Sequence, residues 1–206
     1  MIHAIFIHLG DLVNVQSGFP FRGSISEVAG GAVLAVQMKD VDPELGVRWQ
    51  GVLRTELLGR KGPDWLRAGD LLFVSRGSRF HAVCLDAPPG PAVCNPHFFH
   101  LRVKPKAKVL PGFVAWQINQ PLCQRQLQQA AEGSNQLSIR RPVLESLKLC
   151  VPSLADQRQI VALVALAQRE RQVLQGLIRN RERQLHMLAE KLASNPHPSK
   201  QEAIHR

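Results

Sequence analysis

The sequence predicts an α+β fold: a mixed, largely antiparallel β-rich body with small helices, followed by a long C-terminal coiled-coil helix. Three observations predict it. Short apolar, β-branched segments separated by Gly, Pro and Asp turns fill the first hundred or so residues. Two proline-led stretches, starting at Pro111 and Pro121, then carry helical patterning. From Ile160 to Leu192 the apolar residues recur at three- and four-residue spacing, which a helix turns into one stripe. Strands followed by helices, rather than alternating with them, point to α+β.

Taken in order, Ile2 to Phe6 suits a first strand and Leu9 to Val15 a second. Ser17-Gly-Phe-Pro-Phe-Arg-Gly is an exposed loop anchored by its aromatics. Gly31 to Gln37 is a strand, Asp42 to Gly46 a turn and Val47 to Leu53 another strand, with Arg48, Gln50 and Arg54 as polar neighbours. A Gly69-Asp70 turn introduces the buried strand Leu71 to Val74, closed by Ser75-Arg76-Gly77, and Phe80 to Leu85 returns as its partner. Pro88-Pro-Gly-Pro is a stiff loop, and Ala92 to Val103 holds a strand pair around Asn95-Pro96. Helices follow Pro111 and Pro121, and Glu132-Gly-Ser-Asn-Gln ends the second with a glycine stop.

The apolar segment Leu147 to Val151 is halted by Pro152, which cannot donate to a ladder and pushes Val151 toward extended geometry. Ser153 or Asp156 then caps the long helix. Its stripe is Ile160, Leu163, Ala167, Leu174, Leu177, Leu185, Leu188 and Leu192, interrupted by Glu170 and Arg181. At 1.5 Å per residue the helix is roughly 55 Å long. That is long for a small domain, so the stripe is expected to bury against another helix, the alternative being a fold-back along its own domain. The polar end, Asn195 to Arg206 with two prolines, reads as a disordered tail.

Composition sets bounds. The chain has 206 residues, 45% of them apolar, enough for a real core. No run of about 18 apolar residues and no leader-like start is present, so the expectation is a cytoplasmic protein without membrane contact. Scattered Cys84, Cys94, Cys123 and Cys150 then read as reduced, buried thiols. Net charge is +10, and splitting the chain after Arg140 gives 15 basic against 10 acidic residues, then 11 against 6, so each part carries +5. An excess of that kind favours a polyanionic partner. With no tyrosine and 5% aromatics, a base-stacking platform for single strands is disfavoured.

Certain residues together resemble a known family. They are Gly69-Asp70 before an apolar strand with Arg76-Gly77 after it, Asn95 to Arg102 with Phe98 and Phe99, the Pro111-Gly-Phe helix start, Gly133-Ser-Asn-Gln, and Leu147-Lys-Leu-Cys-Val-Pro-Ser-Leu-Ala-Asp-Gln-Arg-Gln-Ile. In this order they resemble the target-recognition domain plus conserved helix of the specificity subunits of type I restriction-modification systems. The resemblance runs from about Gly10 to Leu192, and the proline-to-Gln-x-x-Ile junction is its most specific part. Where the family usually has a second proline, this chain has Ser153.

The resemblance implies a target-recognition domain over 1–152, a spacer and dimerisation helix over 153–193 and a disordered tail over 194–206. Family subunits usually carry two such units, so this chain looks like a half-subunit. The implied mechanism is a homodimer whose helices pair antiparallel and space two reading domains on a split double-stranded DNA target. Two-fold pairing makes that target palindromic. A DNA methyltransferase subunit docks on the assembly, and sometimes a motor-nuclease subunit too.

The candidate DNA contacts are Arg22, Lys39, Arg54, Arg76, Arg79, Lys104, Asn135 and Gln136. Arginine pairs bidentately with guanine or holds a phosphate, and Asn or Gln pairs with adenine. Ordinary solvated loop residues are the competing reading. Lys104, Lys106 and Lys108 form a basic turn, and Arg169, Arg171, Arg179, Arg181 and Arg183 either follow phosphates or make a solvated helix face.

No catalytic, metal or cofactor residue is assigned. Cys84, Cys94, His97 and His100 have irregular spacing for zinc. Asn95-Pro96-His97-Phe98 is superficially similar to the Asn-Pro-Pro-aromatic motif of amino-methyltransferases but lacks the second proline and a glycine-rich cofactor loop. The rival readings are an interaction protein with only non-specific DNA contact, and an enzyme with a pocket around His81, His97 and His100.

Overall fold

A strand whose residues are all buried, yet whose side chains alternate between two faces, must be covered on both sides. Leu71–Val74 is such a strand. Leu71 and Phe73 join one apolar core and Leu72 and Val74 another. The computed structural model describes residues 5–57, 62–133 and 136–194, so Asn135 and most of the expected tail lie outside the described residues.

In chain order the elements are β1 (Ile5–His8), α1 (Leu9–Leu12), β2 (Val13–Ser17), β3 (Val33–Val36), β4 (Val41–Asp42), β5 (Gly46–Val47), β6 (Leu53–Thr55), β7 (Leu71–Val74), β8 (Ala82–Cys84), β9 (Ala92–Cys94), β10 (Phe98–Val103), α2 (Pro111–Ile118), α3 (Pro121–Ala130), α4 (Arg141–Glu145), β11 (Lys148–Val151) and α5 (Leu154–Ser194). Single 3₁₀ turns occupy Met38–Asp40 and Trp49–Gly51. The fold class is α+β, with a long C-terminal helix, as the sequence predicts. No described helix is long and apolar enough to cross a membrane.

The central sheet has the order β2-β10-β7-β8 and is antiparallel throughout. One face packs with β11, α1, α2, α3 and α4 around Phe113, Ile118, Leu127 and Leu144. The other meets β3 and β9, through Leu34, Val36, Ala92, Cys94 and Phe98. Those two belong to a three-stranded sheet of order β6-β3-β9, in which β3 runs antiparallel to β6 and parallel to β9. β1 pairs with β11, and β4 with β5.

Four sequence expectations are corrected. Leu9 to Val15 is one helical turn and then a strand, because Leu9 and Leu12 both turn into the core while the Leu9 amide reaches back to the Leu147 carbonyl at 2.9 Å. Val47 to Leu53 is not one strand: the 3₁₀ turn Trp49–Gly51 separates Val47 of β5 from Leu53 of β6, and Trp49 packs against the second core. Strands β9 and β10 do not pair with each other; Asn95-Pro96 carries the chain from one sheet to the other. Helix α4, at Arg141–Glu145, was not expected, and Pro142 at its start follows the usual first-turn preference.

The chain divides into two units, Met1–Ala165 and Leu166–Arg206, and α5 runs continuously across the division. Ser153 caps α5 by accepting the Asp156 amide at 3.2 Å, while its own hydroxyl donates to the Asp156 carboxylate at 2.8 Å. Within the first unit Gln157 is 0% exposed. Its Oε1 accepts the Leu110 amide at 2.9 Å, and its Nε2 donates to the carbonyls of Pro152 at 2.9 Å and Lys108 at 3.2 Å. Ile160 and Val161 pack against the first core. In the second unit, taken by itself, Leu166, Val173, Leu174, Leu177, Ile178, Leu185, Leu188 and Leu192 are all exposed.

Candidate nucleic-acid interface

Strand register determines which loops share an end of the sheets. Ser17 on β2 lies opposite Phe99, and Phe98 lies opposite Val74. The loop after β2 is therefore beside the start of β10 and the end of β7. Gly18 donates to the Phe98 carbonyl at 3.1 Å and Phe19 to the Cys94 carbonyl at 2.7 Å. This approach demands glycine, because a Cβ on Gly18 would stand 1.9 Å from the Asn95 carbonyl oxygen. Phe19 and Phe21 then stack edge to face at 5.0 Å, and exposed Arg22 follows.

The end of β3 reaches the same place, since the Asn95 amide donates to the Val36 carbonyl at 3.0 Å. Lys39 is exposed in the 3₁₀ turn that follows. Arg48 is joined to that turn twice, by its amide to the Asp40 carbonyl at 2.8 Å and by Nη2 to the Lys39 carbonyl at 2.6 Å. At the end of β7 the Ser75 amide and hydroxyl both donate to the His97 carbonyl, at 3.0 and 2.8 Å. Arg76 bridges to Ser138, and Gly77 donates to the Leu137 carbonyl at 3.0 Å, so exposed Gln136 adjoins the Arg76–Arg79 loop.

Five exposed cations, Arg22, Lys39, Arg48, Arg76 and Arg79, thus gather at one end of the sheets. Two carboxylates there are engaged by backbone: Asp40 accepts the Gln37 amide at 2.9 Å, and Asp42 accepts those of Glu44 and Leu45 at 2.9 and 3.1 Å. Backbone donors stabilise a carboxylate without cancelling its charge, and the five cations still outnumber Asp40, Asp42 and exposed Glu44 at this end. Such a surface suits phosphates, with Arg and Gln side chains able to read base edges. Arg48 was missed because it reads as a strand's polar neighbour. The signal lay in the Asp42–Gly46 turn, which folds Arg48 back onto Lys39.

Two expected contacts lie elsewhere. Arg54 sits on β6 opposite Leu34 at the beginning of β3, and its Nη1 donates to the Gly31 carbonyl at 3.4 Å. Lys104 follows the far end of β10, where its Nζ donates to the Gly10 carbonyl at 2.6 Å. On α5, Ile160 packs on its own body's core while Leu163, Leu174, Leu177, Leu185, Leu188 and Leu192, with Ala167, are exposed.

The histidines and cysteines do not converge. Cys84 lies opposite Leu71 at one end of β7, and His97 adjoins Ser75 at the other. His100 is buried with Nε2 2.7 Å from Asp70 Oδ2. Among the described residues no three His, Cys, Asp or Glu side chains could hold a metal ion. Burial pushes the thiol of Cys94 up to about 12 and those of Cys84 and Cys123 up to about 11. Burial also pushes His81 down, the Arg79 carbonyl and Asp42 opposing.

Asp70 is an electrostatic keystone at the start of β7, the end of the strand away from the basic loops. It is 2% exposed and accepts Arg102 Nε at 2.7 Å, Arg102 Nη2 at 2.6 Å and the Arg67 amide at 2.9 Å, besides meeting His100. Burial alone would raise its pKa, but the Arg102 and His100 hydrogen bonds outweigh burial and hold the carboxyl well below the usual range. The Gly69-Asp70 turn is thereby tied to β10, with Gly69 at a φ of 83°.

The sequence matches no protein-family model, and no curated protein matches it. Its fold is that of type I restriction-modification specificity subunits. The S subunit of the type I restriction-modification system of M. genitalium superposes with a TM-score of 0.63 at 14% identity, over 94% of this chain and 46% of that one. The HsdS subunit of Thermoanaerobacter tengcongensis gives 0.57 at 18% identity, over 95% and 50%. A chain from a structural study of complex assembly and conformational transition of the type I R-M system gives 0.61 at 17% identity, over 90% and 43%. The chain spans about half the length of the structures it matches.

Proposed function

We propose that the protein is a non-catalytic, sequence-specific DNA-binding specificity subunit of a type I-like restriction-modification system. The single observation that carries this reading is the gathering of basic loops from separate sheets at one end of a fold shared with type I specificity subunits. Arg22, Lys39, Arg76, Arg79 and Gln136, joined by Arg48, contact phosphates and base edges of double-stranded DNA. Helix α5 pairs with a second copy through its exposed leucines. The dimer reads a split, palindromic target and positions a DNA methyltransferase subunit on it, with a motor-nuclease subunit joining in a restricting system.

Selection from a pool of randomised duplexes at physiological salt tests the reading. Enrichment of two short half-sites at fixed spacing is the expected result. Binding that stays equally weak on every sequence overturns it and leaves an interaction protein with only non-specific DNA contact. A direct check is fluorescence anisotropy on the selected duplex with Arg76→Ala and Arg79→Ala, which lowers affinity if these side chains reach the DNA.

A further inference from the structure

The exposed face of α5 has a repeat of its own. Leu163, Leu174 and Leu185 are spaced by eleven residues; so are Leu166, Leu177 and Leu188, and so are Ala167, Ile178 and Ala189. Glu170, Arg181 and Leu192 occupy the fourth position of the same repeat. Eleven residues in three turns is about 3.67 per turn, close to a straight helix and opposite in drift to the seven-residue repeat of a left-handed coiled coil. Leu166, Leu174, Leu177, Leu185 and Leu188 are each more than half exposed. Leu166, Arg169, Glu170, Val173 and Leu174 outline a shallow apolar depression on this face. Two charges therefore stand inside a row of leucines, one acidic and one basic, a single repeat apart.

We infer that a second copy of this chain lies antiparallel on this face, with the two-fold axis passing between Gln175 and Gly176. This rests on the dimer reading above and specifies its register. About that axis Leu174 meets Leu177 of the second copy, Leu166 meets Leu185, Leu163 meets Leu188, and Glu170 meets Arg181. Each charged layer occurs twice and is flanked by leucine layers, where water is partly excluded and the pair is screened less than on an open surface.

The charges also reject the alternatives. Sliding the helices by one repeat in one direction sets Glu170 on Glu170, and in the other sets Arg181 on Arg181. A slide of seven residues buries each charge against leucine. Parallel pairing creates both like-charge layers at once. A polar position within an apolar seam is a known way to specify register.

Charge reversal in the full chain, read by sedimentation equilibrium, tests the register. Glu170→Arg places four arginines in the two layers and Arg181→Glu four glutamates. Each is expected to weaken self-association on the order of a hundredfold, about tenfold per layer. The double variant, and an equimolar mixture of the two singles, restore association to within about threefold of wild type. Restoration by mixing also shows that neither single variant has merely lost its fold. A wild type that stays monomeric overturns the dimer reading and the register with it. A dimeric wild type that tolerates both reversals overturns the register alone. A mixture that associates more tightly than wild type shows parallel pairing and overturns it too.

Discussion

The two units of this chain treat their apolar residues in opposite ways. Unit 1 buries most of its own: among the described residues eleven large apolar side chains, from Leu9 to Leu149, are under 2% exposed, although Ile5, Phe6 and Leu163 stay exposed. Unit 2 has a 3.6-residue backbone but exposes its leucines, Leu174 at 59% and Leu192 at 77%. The difference is not one of composition, since both are leucine-rich. A helix taken by itself has nothing to bury its stripe against, and its stability comes from packing rather than propensity. The contrast teaches where the proposed pairing must draw its energy: the body has a core of its own, and the apolar area still open to burial lies on the helix.

The largest expected effect lies on the helix. Leu174→Glu with Leu177→Glu places four carboxylates at the centre of the paired seam. Self-association should weaken more than a thousandfold, about 4 kcal/mol or more, while thermal unfolding of the body is unchanged. Body unfolding that shifts with the helix would erase the contrast between the units.

Next comes Asp70→Asn in the body, expected to cost about 3 kcal/mol in denaturant unfolding, because Arg102 and His100 lose a buried charge partner. It should also alter the acid limb. The folded carboxyl titrates below its unfolded value near 4, so its stabilisation is present above that pH and is lost as pH falls below it. The variant should therefore show a shallower loss between about pH 4 and pH 2. An identical acid limb would show that Asp70 is not the keystone.

Gly18→Ala is expected to cost about 2 kcal/mol, because the added methyl must push the loop away from Asn95. Binding to a selected duplex should weaken in parallel if the Arg22 loop contributes. The smallest pair sharpens the map within the body. Arg76→Ala should cost about 1–2 kcal/mol of DNA affinity with stability unchanged. Lys104→Ala, whose ammonium holds the Gly10 carbonyl, should cost about 1 kcal/mol of stability and leave affinity within about twofold.

Much of this fold was legible in the sequence because its signals are local. Pro111 and Pro121 start helices where expected, Pro152 stops a strand, and Ser153 caps the long helix beyond it. The features that escaped were set by distant partners. Leu9 to Leu12 became a helical turn only because Leu147 lies beside it, and β9 left β10 to join β3. The site divides the same way. Loop arginines were visible as loop residues, but nothing local shows that Lys104 is tied to Gly10 or that Arg48 folds onto Lys39. Gln157 stood in the most specific motif without a role until its carboxamide was seen holding Leu110, Lys108 and Pro152 together.

Strand β7 serves both cores, Leu71 and Phe73 one and Leu72 and Val74 the other, so a change of volume at any of its positions disturbs a packed core, whereas Arg76 and Arg79 just beyond it are exposed. If the proposed reading holds, a frame this intolerant, carrying exposed side chains at its tips, lets natural variation alter what those side chains recognise and leave the frame alone. Related chains with different preferences should differ at the tips and agree along Leu71 to Val74.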